Sequence, residues 1–202
     1  PRSVPLAEPL SLGFDTSAAH CAAALLQGDR LLVQRHEDMA RGQAERLFQL
    51  LDEVLAEAGV GWRDLSVIGC GIGPGNFTGI RISVAAARGL ALSLGIPAVG
   101  VSVTEAAAHG LPRPCRVAVP SRMGEVIWQD FGTGAATRPQ QAPAHELPPG
   151  PAPLPAAMPL AEAIARIAAA RRDQPDLPRP APIYLRPADA APARDRGPLI
   201  LS

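Results

Sequence analysis

The first candidate for chemistry is a short polar stretch near the start of the chain. It reads GFDTSAAH (residues 13–20), and it places Asp15, Thr16 and Ser17 directly after an apolar run. A carboxylate in such a turn can hold a magnesium-bound water, and the hydroxyl and amide groups can donate to phosphate oxygens. The same residues favour an Asx or Ser/Thr turn at a strand end. The stretch alone leaves both interpretations open.

The second candidate is the glycine-rich stretch GIGPGNFTGIR (residues 71–81), which leads into a helix pattern. Gly73, Gly75 and Gly79 allow positive φ and a close backbone approach, and Thr78 is expected to cap the helix. The helix N-terminus would then offer free N–H groups to an anion. The spacing matches neither the Walker motif nor the dinucleotide fingerprint, so a tight strand-to-helix turn remains the structural alternative.

The composition of the 202 residues restricts the chemistry further. The 19 basic residues are all arginines and balance 19 acidic residues. The lack of lysine excludes a Walker lysine and Schiff-base catalysis, and the balanced charge argues against a broadly basic nucleic-acid surface. Cys21, Cys70 and Cys115 are scattered among apolar residues and are predicted to be small core residues. With no apparent membrane span or signal-like start, we expect a soluble cytoplasmic protein.

Hydrophobic periodicity predicts the elements that would position these two stretches. LSLGFD, HCAAALLQ and RLLVQRHE are three successive strands, the last two joined by the turn pair Gly28-Asp29. Apolar residues at three- and four-residue steps predict a helix over 41–59. A buried strand DLSVIGCGIG, a second helix from Ile80, a strand PAVGVS and a third helix capped by Ser102 follow. This order predicts a parallel crossover and an α/β fold.

The second half of the chain has a different character, since 18 of the 23 prolines lie from Pro112 onward. CRVAVP and EVIWQDF are predicted strands, and the run RPQQAPAHELPPGPAPLPAAMP is predicted to be surface loop. PLAEAIARIAAARR is a helix with Leu160, Ile164 and Ile167 inward, and PIYLRP is a last short strand. These patterns predict a flexible tail over 1–9, a first subdomain over 10–108 and a smaller proline-rich subdomain over 109–202.

The two long helices carry more apolar surface than one sheet face should need. The pattern indicates docking of helices from another chain, with an ordinary core role as the alternative. The residues assigned to a partner interface are Ala44, Leu47, Phe48, Leu51, Val54, Leu55, Val84, Ala87 and Ala91. The four histidines have no i, i+4 pairing and no carboxylate at metal spacing, so no metal site is predicted.

Several stretches together resemble a known family, in order and at the expected separations. They are LGFDTSAAHCAAALL, GQAERLFQLLDEVLAEAGV, IGCGIGPGNFTGIRISVAAARGLALSLGIPAVGVS, RMGEVIW and PIYLRPA, from about Leu10 to Ala188. The chain is similar to the TsaB (YeaZ) family, a subunit of the bacterial machinery that makes threonylcarbamoyladenosine in tRNA. The most specific stretch is GPGNFTGIRISVAAARGLA.

The resemblance implies the actin-like ATPase fold, with two α/β subdomains that have mixed sheets and a reduced second subdomain. It implies a non-catalytic subunit that pairs through helices with a TsaD-like transferase, joined by a TsaE-like ATPase. Nucleotide and metal are then expected on the partner subunits, with no cofactor on this chain alone. The same face could support a homodimer when the chain is alone, and contact with tRNA is expected to be peripheral at most.

This chain departs from the family pattern at two places. Gln43 stands where a histidine often follows Arg-Gly, and helix 41–59 has no His-x-x-x-His, so the metal ligands of the catalytic paralogue are absent. Pro120-Ser121 replaces the usual Asp-Ala before Arg122, which is carried over from the family motif. The phosphate-contacting residues then become a vestigial loop. The alternative functions are an actin-fold ATPase or kinase using Asp15 and Thr16, and an M22-type metallopeptidase, which would need metal ligands.

Overall fold

The computed structural model describes residues 8–132 and 137–185. The predicted tail over 1–9 therefore lies outside the described residues except for its last two positions. The predicted strand PIYLRP is described only as far as Leu185, and that part is not a strand. It is instead fixed to the first subdomain by one backbone contact, in which the N–H of Ile183 donates to the oxygen of Ile72 at 2.8 Å.

A five-stranded mixed sheet forms the centre of the first subdomain. Strands β1 (Leu10–Asp15), β2 (His20–Gln27) and β3 (Arg30–Asp38) form an antiparallel meander, as the sequence predicts. Strands β4 (Leu65–Gly71) and β5 (Ala98–Val101) join it in parallel, giving the order β3-β2-β1-β4-β5. The polar end of β1 and the glycine-rich end of β4 are therefore neighbours at one edge of the sheet.

Helices α1 (Gln43–Glu57) and α2 (Phe77–Leu94) cover one face of this sheet. The buried stripe of α1 packs on the alternate residues of β1 and β2 that point to that side, as the three- and four-residue steps require. Helix α2 begins at Phe77, three residues before the predicted start at Ile80, and ends at Gly95 in the left-handed conformation. The short helix α3 (Val103–Ala107) follows β5.

Helix α4 (Leu160–Arg171) covers the opposite face of the same sheet, although it comes after the second sheet in the chain. The sequence placed this helix in the second subdomain, and the structure packs it on the first one. Two glycines allow its close approach, because a methyl at Gly13 would lie 2.5 Å from the oxygen of Ala161. A methyl at Gly69 would lie 2.8 Å from the oxygen of Ile164.

The second sheet has three antiparallel strands among the described residues, β6 (Cys115–Pro120), β7 (Glu125–Phe131) and β8 (Gln140–Pro143). Strand β8 lies inside the proline-rich run that was predicted to be loop, and it pairs with β7. A strand of four residues at a sheet edge tolerates proline, because the missing N–H can face away from the ladder. The sequence prediction of an unpaired surface loop is therefore wrong for this segment.

One buried arginine holds the rest of the proline-rich run in place. Arg116 is 3% exposed, and its guanidinium donates to both oxygens of Asp130, at 2.6 and 2.8 Å, and to the oxygen of Pro148 at 2.6 Å. The hydrogen bonds from Arg116 lower the pKa of Asp130. The oxygen of Arg116 also accepts the N–H of Leu154. Side-chain and backbone contacts of Arg116 therefore attach the segment around Pro148 and Leu154 to β6.

The close packing of α4 yields a stability prediction for Gly13→Ala. The added methyl meets the backbone of α4, which cannot move without separating the helix from the sheet. We expect a loss of about 1–3 kcal/mol in the free energy of unfolding, measured by urea denaturation. Gly89→Ala is the matched control, because nothing lies within 4 Å of a methyl there, and we expect it to stabilise α2 by about 1 kcal/mol. Equal effects of the two changes would contradict the packing argument.

Candidate functional site

The two stretches that could bind phosphate lie against each other and share hydrogen bonds. Thr16, in the turn after β1, donates its N–H to the Oγ of Ser83 at 3.0 Å and its hydroxyl to the oxygen of Gly79 at 2.7 Å. Because that hydroxyl proton is used, the Ser83 hydroxyl must supply the proton in its 2.7 Å contact with Thr16 Oγ1. Thr16 and Ser83 are both fully buried. The three contacts join β1 directly to α2.

The glycines of the second stretch provide the room for this contact. A methyl group on Gly79 would overlap the oxygen of Thr16, and a methyl group on Gly75 would overlap the oxygen of Ser17. The N–H of Asn76 donates to the oxygen of Ser17 at 2.6 Å. The glycine-rich loop is therefore shaped to receive the backbone of the Asp15–Ser17 turn.

Asn76 caps α2, so the prediction that Thr78 is the cap is wrong. The Asn76 Oδ1 accepts the N–H groups of Thr78 and Gly79 at 3.0 and 3.2 Å, while Thr78 itself lies exposed in the first turn of the helix. Asparagine and threonine are both good caps, and the choice depends on where the loop turns into the helix. Two N–H groups that an anion could have used are thereby occupied.

Asp15 is fully buried and makes its polar contacts within its own turn. Its Oδ2 accepts the N–H and hydroxyl of Ser17 at 3.1 and 2.9 Å, and the Nε2 of His20 at 2.6 Å. Its Oδ1 has no hydrogen-bond partner among the described residues and lies against the Cα of Gly71. No role was predicted for His20 from the sequence. Its position five residues after Asp15, at the start of the next predicted strand, could have suggested this contact.

Several groups of these two loops that could contact a phosphate are engaged within the chain. The backbone and hydroxyl groups of Thr16 are bound to α2, the carboxylate of Asp15 faces His20, and the capping position of α2 is filled by Asn76. Among the residues that the structure describes, no group of three His, Cys, Asp or Glu side chains could hold a metal ion.

Gln43 uses its buried side chain to hold backbone at the start of α1. Its Nε2 donates to the oxygen of Met39 at 3.1 Å and to that of Ala18 at 3.4 Å. This contact links the helix to the turn that carries Asp15. Gln43 therefore has a structural role, at a position where related chains often have a histidine.

Most of the residues assigned to a partner interface are enclosed by the chain itself. On α1, Leu47, Leu51, Val54 and Leu55 are at most 2% exposed because they pack on the sheet. On α2, Val84 and Ala87 are buried in the same way, and Ala91 is half-buried. Ala44 and Phe48 are the members of the assigned set that are exposed. An apolar stripe shows that a helix has a buried side, and it does not distinguish a sheet from a partner.

An open apolar groove lies between α1 and α2 on their solvent side. Its volume is about 490 Å³. Phe48 forms one wall and is 46% exposed. The opposite wall includes Ala85 and Gly89, whose small size leaves the groove open. The residues of this α1–α2 groove are Ala44, Phe48, Ile82, Ala85, Ala86, Gly89, Leu90 and Ser93. Sequence analysis missed all of these except Ala44 and Phe48, because small residues on α2 gave no strong periodic signal.

Helix α2 is also long and apolar enough to cross a membrane by length and composition alone. It is the one such helix among the described residues. Its buried side packs on β4 and α1, and its open side forms the groove wall. The apolar composition is thus accounted for by one face on the core and a second face beside α1.

The remaining predicted residues lie apart from these contacts. Arg122 lies in the exposed connection between β6 and β7, beside Met123, which has positive φ and is 98% exposed. Cys21, Cys70 and Cys115 are free and buried, as predicted. Burial, and secondarily the charges of Glu37 and Asp15, raises the pKa of Cys21 to about 11, which suits a core residue and not a nucleophile.

Comparison with known proteins assigns the chain to a family. The family model for tRNA N6-adenosine threonylcarbamoyltransferase (TsaD) matches residues 36–180. The tRNA threonylcarbamoyladenosine biosynthesis protein TsaB of Escherichia coli K12 is 34% identical over 125 residues, which are 59% of this chain and 54% of that protein. The TsaB of Haemophilus influenzae is 35% identical over 123 residues, 58% and 51% of the two chains. The matched part of this chain thus spans about half the length of these curated relatives.

Two further matches cover most of the chain. An uncharacterized protein of Mycobacterium tuberculosis H37Rv is 32% identical over 197 residues, which cover 90% of this chain and 93% of that protein. The structure of YeaZ from Pseudomonas aeruginosa superposes with a TM-score of 0.70 at 28% identity and covers 88% of this chain and all of that one. A second structure with the same scores carries the description of an uncharacterized protein with similarity to peptidase YeaZ.

The strand order and these matches define the class as an α/β protein with the actin-like ATPase fold. Within that class, the chain belongs to the TsaB (YeaZ) family of tRNA threonylcarbamoyladenosine biosynthesis proteins.

The buried contact between Thr16 and α2 yields a prediction for Ser83→Ala. The change leaves the N–H of Thr16 without an acceptor in a site that water does not reach, so we expect a loss of about 1–3 kcal/mol in the free energy of unfolding. Ser93→Ala, at an exposed position of the same helix, is the control and is expected to change it by less than about 0.5 kcal/mol. Indistinguishable denaturation midpoints for the two variants would contradict the role of this contact.

Proposed function

We propose that this chain is a non-catalytic subunit in the synthesis of N6-threonylcarbamoyladenosine in tRNA. In this proposal it binds a TsaD-like transferase through the α1–α2 groove, orders the active site of that partner, and works with a TsaE-like ATPase. The chain alone would use the same groove to form a homodimer. Contact with tRNA, if made, would be peripheral, and nucleotide and metal would be held by the partner subunits.

The single observation that carries the proposal is the open groove between two helices that are otherwise packed on their own sheet. A monomeric soluble protein gains nothing from leaving Phe48 and the adjoining apolar wall of α2 in water. Helices that lay their apolar side into such a groove are a common mode of recognition. The groove also uses the small residues of α2, which allow a close approach of a second helix.

The internal hydrogen bonds of the groups that could contact a phosphate support the non-catalytic part of the proposal. The hydrogen bonds between Thr16 and Ser83 join β1 to α2, and Asn76 Oδ1 caps α2, so these groups are already engaged within the chain. The same contacts fix the start of α2, which carries one wall of the groove. The loops thus contribute indirectly, by positioning the docking surface.

A direct test places charge inside the groove with Ala85→Glu. Ala85 is exposed in the isolated chain, so the variant should fold normally. Binding would then have to remove the new carboxylate from water, which is costly. We expect the dissociation constant for the TsaD-like partner to rise by about 100-fold or more, measured by titration calorimetry. Ala56→Glu, at an exposed position of α1 outside the groove, is the matched control. A heterodimer that withstands Ala85→Glu would refute the docking site.

One observation favours the second candidate, an actin-fold ATPase or kinase. The Oδ1 of Asp15 is buried without a hydrogen-bond partner among the described residues, as an atom that awaits a ligand would be. We nevertheless expect titration of the isolated chain with ATP and magnesium to give no binding heat, because the neighbouring donors are engaged. Binding near one nucleotide per chain, lost in Asp15→Asn, would overturn the non-catalytic proposal in favour of the enzyme.

A further inference from the structure

The two outer edges of the α1–α2 groove carry charges of opposite sign. The only charged residues of α2 are Arg81 and Arg88, and both are exposed. The exposed edge of α1 beside Phe48 carries Glu45 and Asp52 instead. Each pair is separated by seven residues, so its members lie on the same side of their helix, about 10.5 Å apart along the axis.

The two arginines of α2 are available to a partner. Neither forms an ion pair with any residue in the described ranges 8–132 and 137–185, whereas Arg46 on α1 pairs with Glu37 and Glu53. An exposed arginine without a carboxylate, next to an open apolar surface, is typical of an interface rim, where charge selects the partner and its orientation.

Arg81 is moreover held in one position by aromatic rings. Its guanidinium carbon lies 3.7 Å from the ring centroid of Phe77, and its Nε donates to the hydroxyl of Tyr184 at 3.0 Å. The two rings are themselves in contact, with centroids 5.0 Å apart. These contacts use only one of the five N–H groups of the guanidinium, so the terminal nitrogens remain free to bind a carboxylate.

Tyr184 reaches this position because its own segment is attached to the loop before α2. The N–H of Ile183 donates to the oxygen of Ile72, and the oxygen of Ile183 would contact a methyl on Gly73 at 3.0 Å. The attachment places residues near the end of the described chain beside the first turn of α2. The segment therefore acts on the groove edge, although it is distant from α2 in sequence.

We propose that Arg81 and Arg88 select the TsaD-like partner by pairing with an acidic edge of the helix that lies along α2, and that Tyr184 positions Arg81 for this contact. The inference rests on the proposed function and specifies the chemistry of the partner surface. If the acidic partner helix lay along α1 instead of α2, Glu45 and Asp52 on the exposed edge of α1 would repel it. The charges thereby fix one of the two ways in which a helix pair could lie over the groove.

The test is a charge reversal, Arg88→Glu, with the full chain and the TsaD-like subunit. We expect the dissociation constant to rise by about tenfold at low salt, mostly through a slower association rate, and the difference to shrink as salt screens the contact. Arg138→Glu, an equal charge change at an exposed position beside β8, is the control and should leave binding unchanged. Arg88→Glu binding within about twofold of the unaltered chain at low salt would overturn the inference.

Two variants test the positioning role of Tyr184. Tyr184→Ala should weaken binding about threefold and reduce its dependence on salt, because Arg81 then loses its fixed geometry. Tyr184→Phe keeps the ring contact and should retain most of the affinity. A loss of affinity in Tyr184→Ala with unchanged salt dependence would mean a merely structural role and would overturn this part.

Failure of this inference can be told from failure of the proposed function. If Ala85→Glu abolishes the heterodimer and Arg88→Glu does not weaken it, the groove binds the partner without the charge selection proposed here. If neither variant weakens the heterodimer, both proposals fail. If Arg88→Glu weakens only self-association of the chain, the acidic edge belongs to a second copy, and the inference is again overturned.

Discussion

The contact of Thr16 with Ser83 and Gly79 joins the end of β1 to helix α2. The position of α2, and therefore the shape of the α1–α2 groove, depends on this contact. Three hydrogen bonds in a water-free site are worth more than exposed ones, because breaking any of them leaves a buried group unsatisfied. The contact requires glycine at the two points where the loop meets the turn. It fixes the start of α2 and, through it, one wall of the groove.

The same contact explains how a loop with the composition of a phosphate site can serve a different purpose. A phosphate site must leave its N–H groups and hydroxyls unpaired until the ligand arrives. Here the donors of Thr16 and the cap of α2 are satisfied inside the chain, and His20 lies beside Asp15. In this chain the loop positions the start of α2 through these contacts, which stabilise the fold and place one wall of the groove.

The sequence predicted the elements of the first subdomain because their signals are local. The continuous apolar run of β2, the stripe of α1 and the glycine after α2 are each recognisable from residues close together in sequence. The position of α4 could not be predicted, since it depends on contacts of Gly13 and Gly69 with residues about 100–150 positions later. Strand β8 was missed because proline is normally excluded from strands, and the side chain of Arg116 that anchors its surroundings has no sequence pattern.

The candidate site was likewise predictable where its signals are local and unpredictable where it depends on contacts between distant residues. Asp15, Thr16 and the loop glycines were identified as two separate candidate stretches from residue type, whereas their mutual contacts and the roles of Ser83 and Asn76 required coordinates. The apolar stripe did not separate the buried interface candidates from the exposed ones, since Leu47 and Phe48 are adjacent in sequence and opposite in exposure. The family resemblance indicated that helices dock, and the structure indicates which of their surfaces is open.

Hydroxyl-radical footprinting with the TsaD-like partner tests the central claim most directly, since it reports the exposure of single side chains without mutation. Phe48 in the groove and Met123 in the connection between β6 and β7 are both exposed and oxidisable, at 46% and 98% exposure. The account predicts that saturating partner strongly slows the oxidation of Phe48, relative to the chain at a concentration low enough to keep it monomeric, and leaves that of Met123 unchanged. A stable heterodimer in which Phe48 is oxidised as fast as in the chain alone would contradict it.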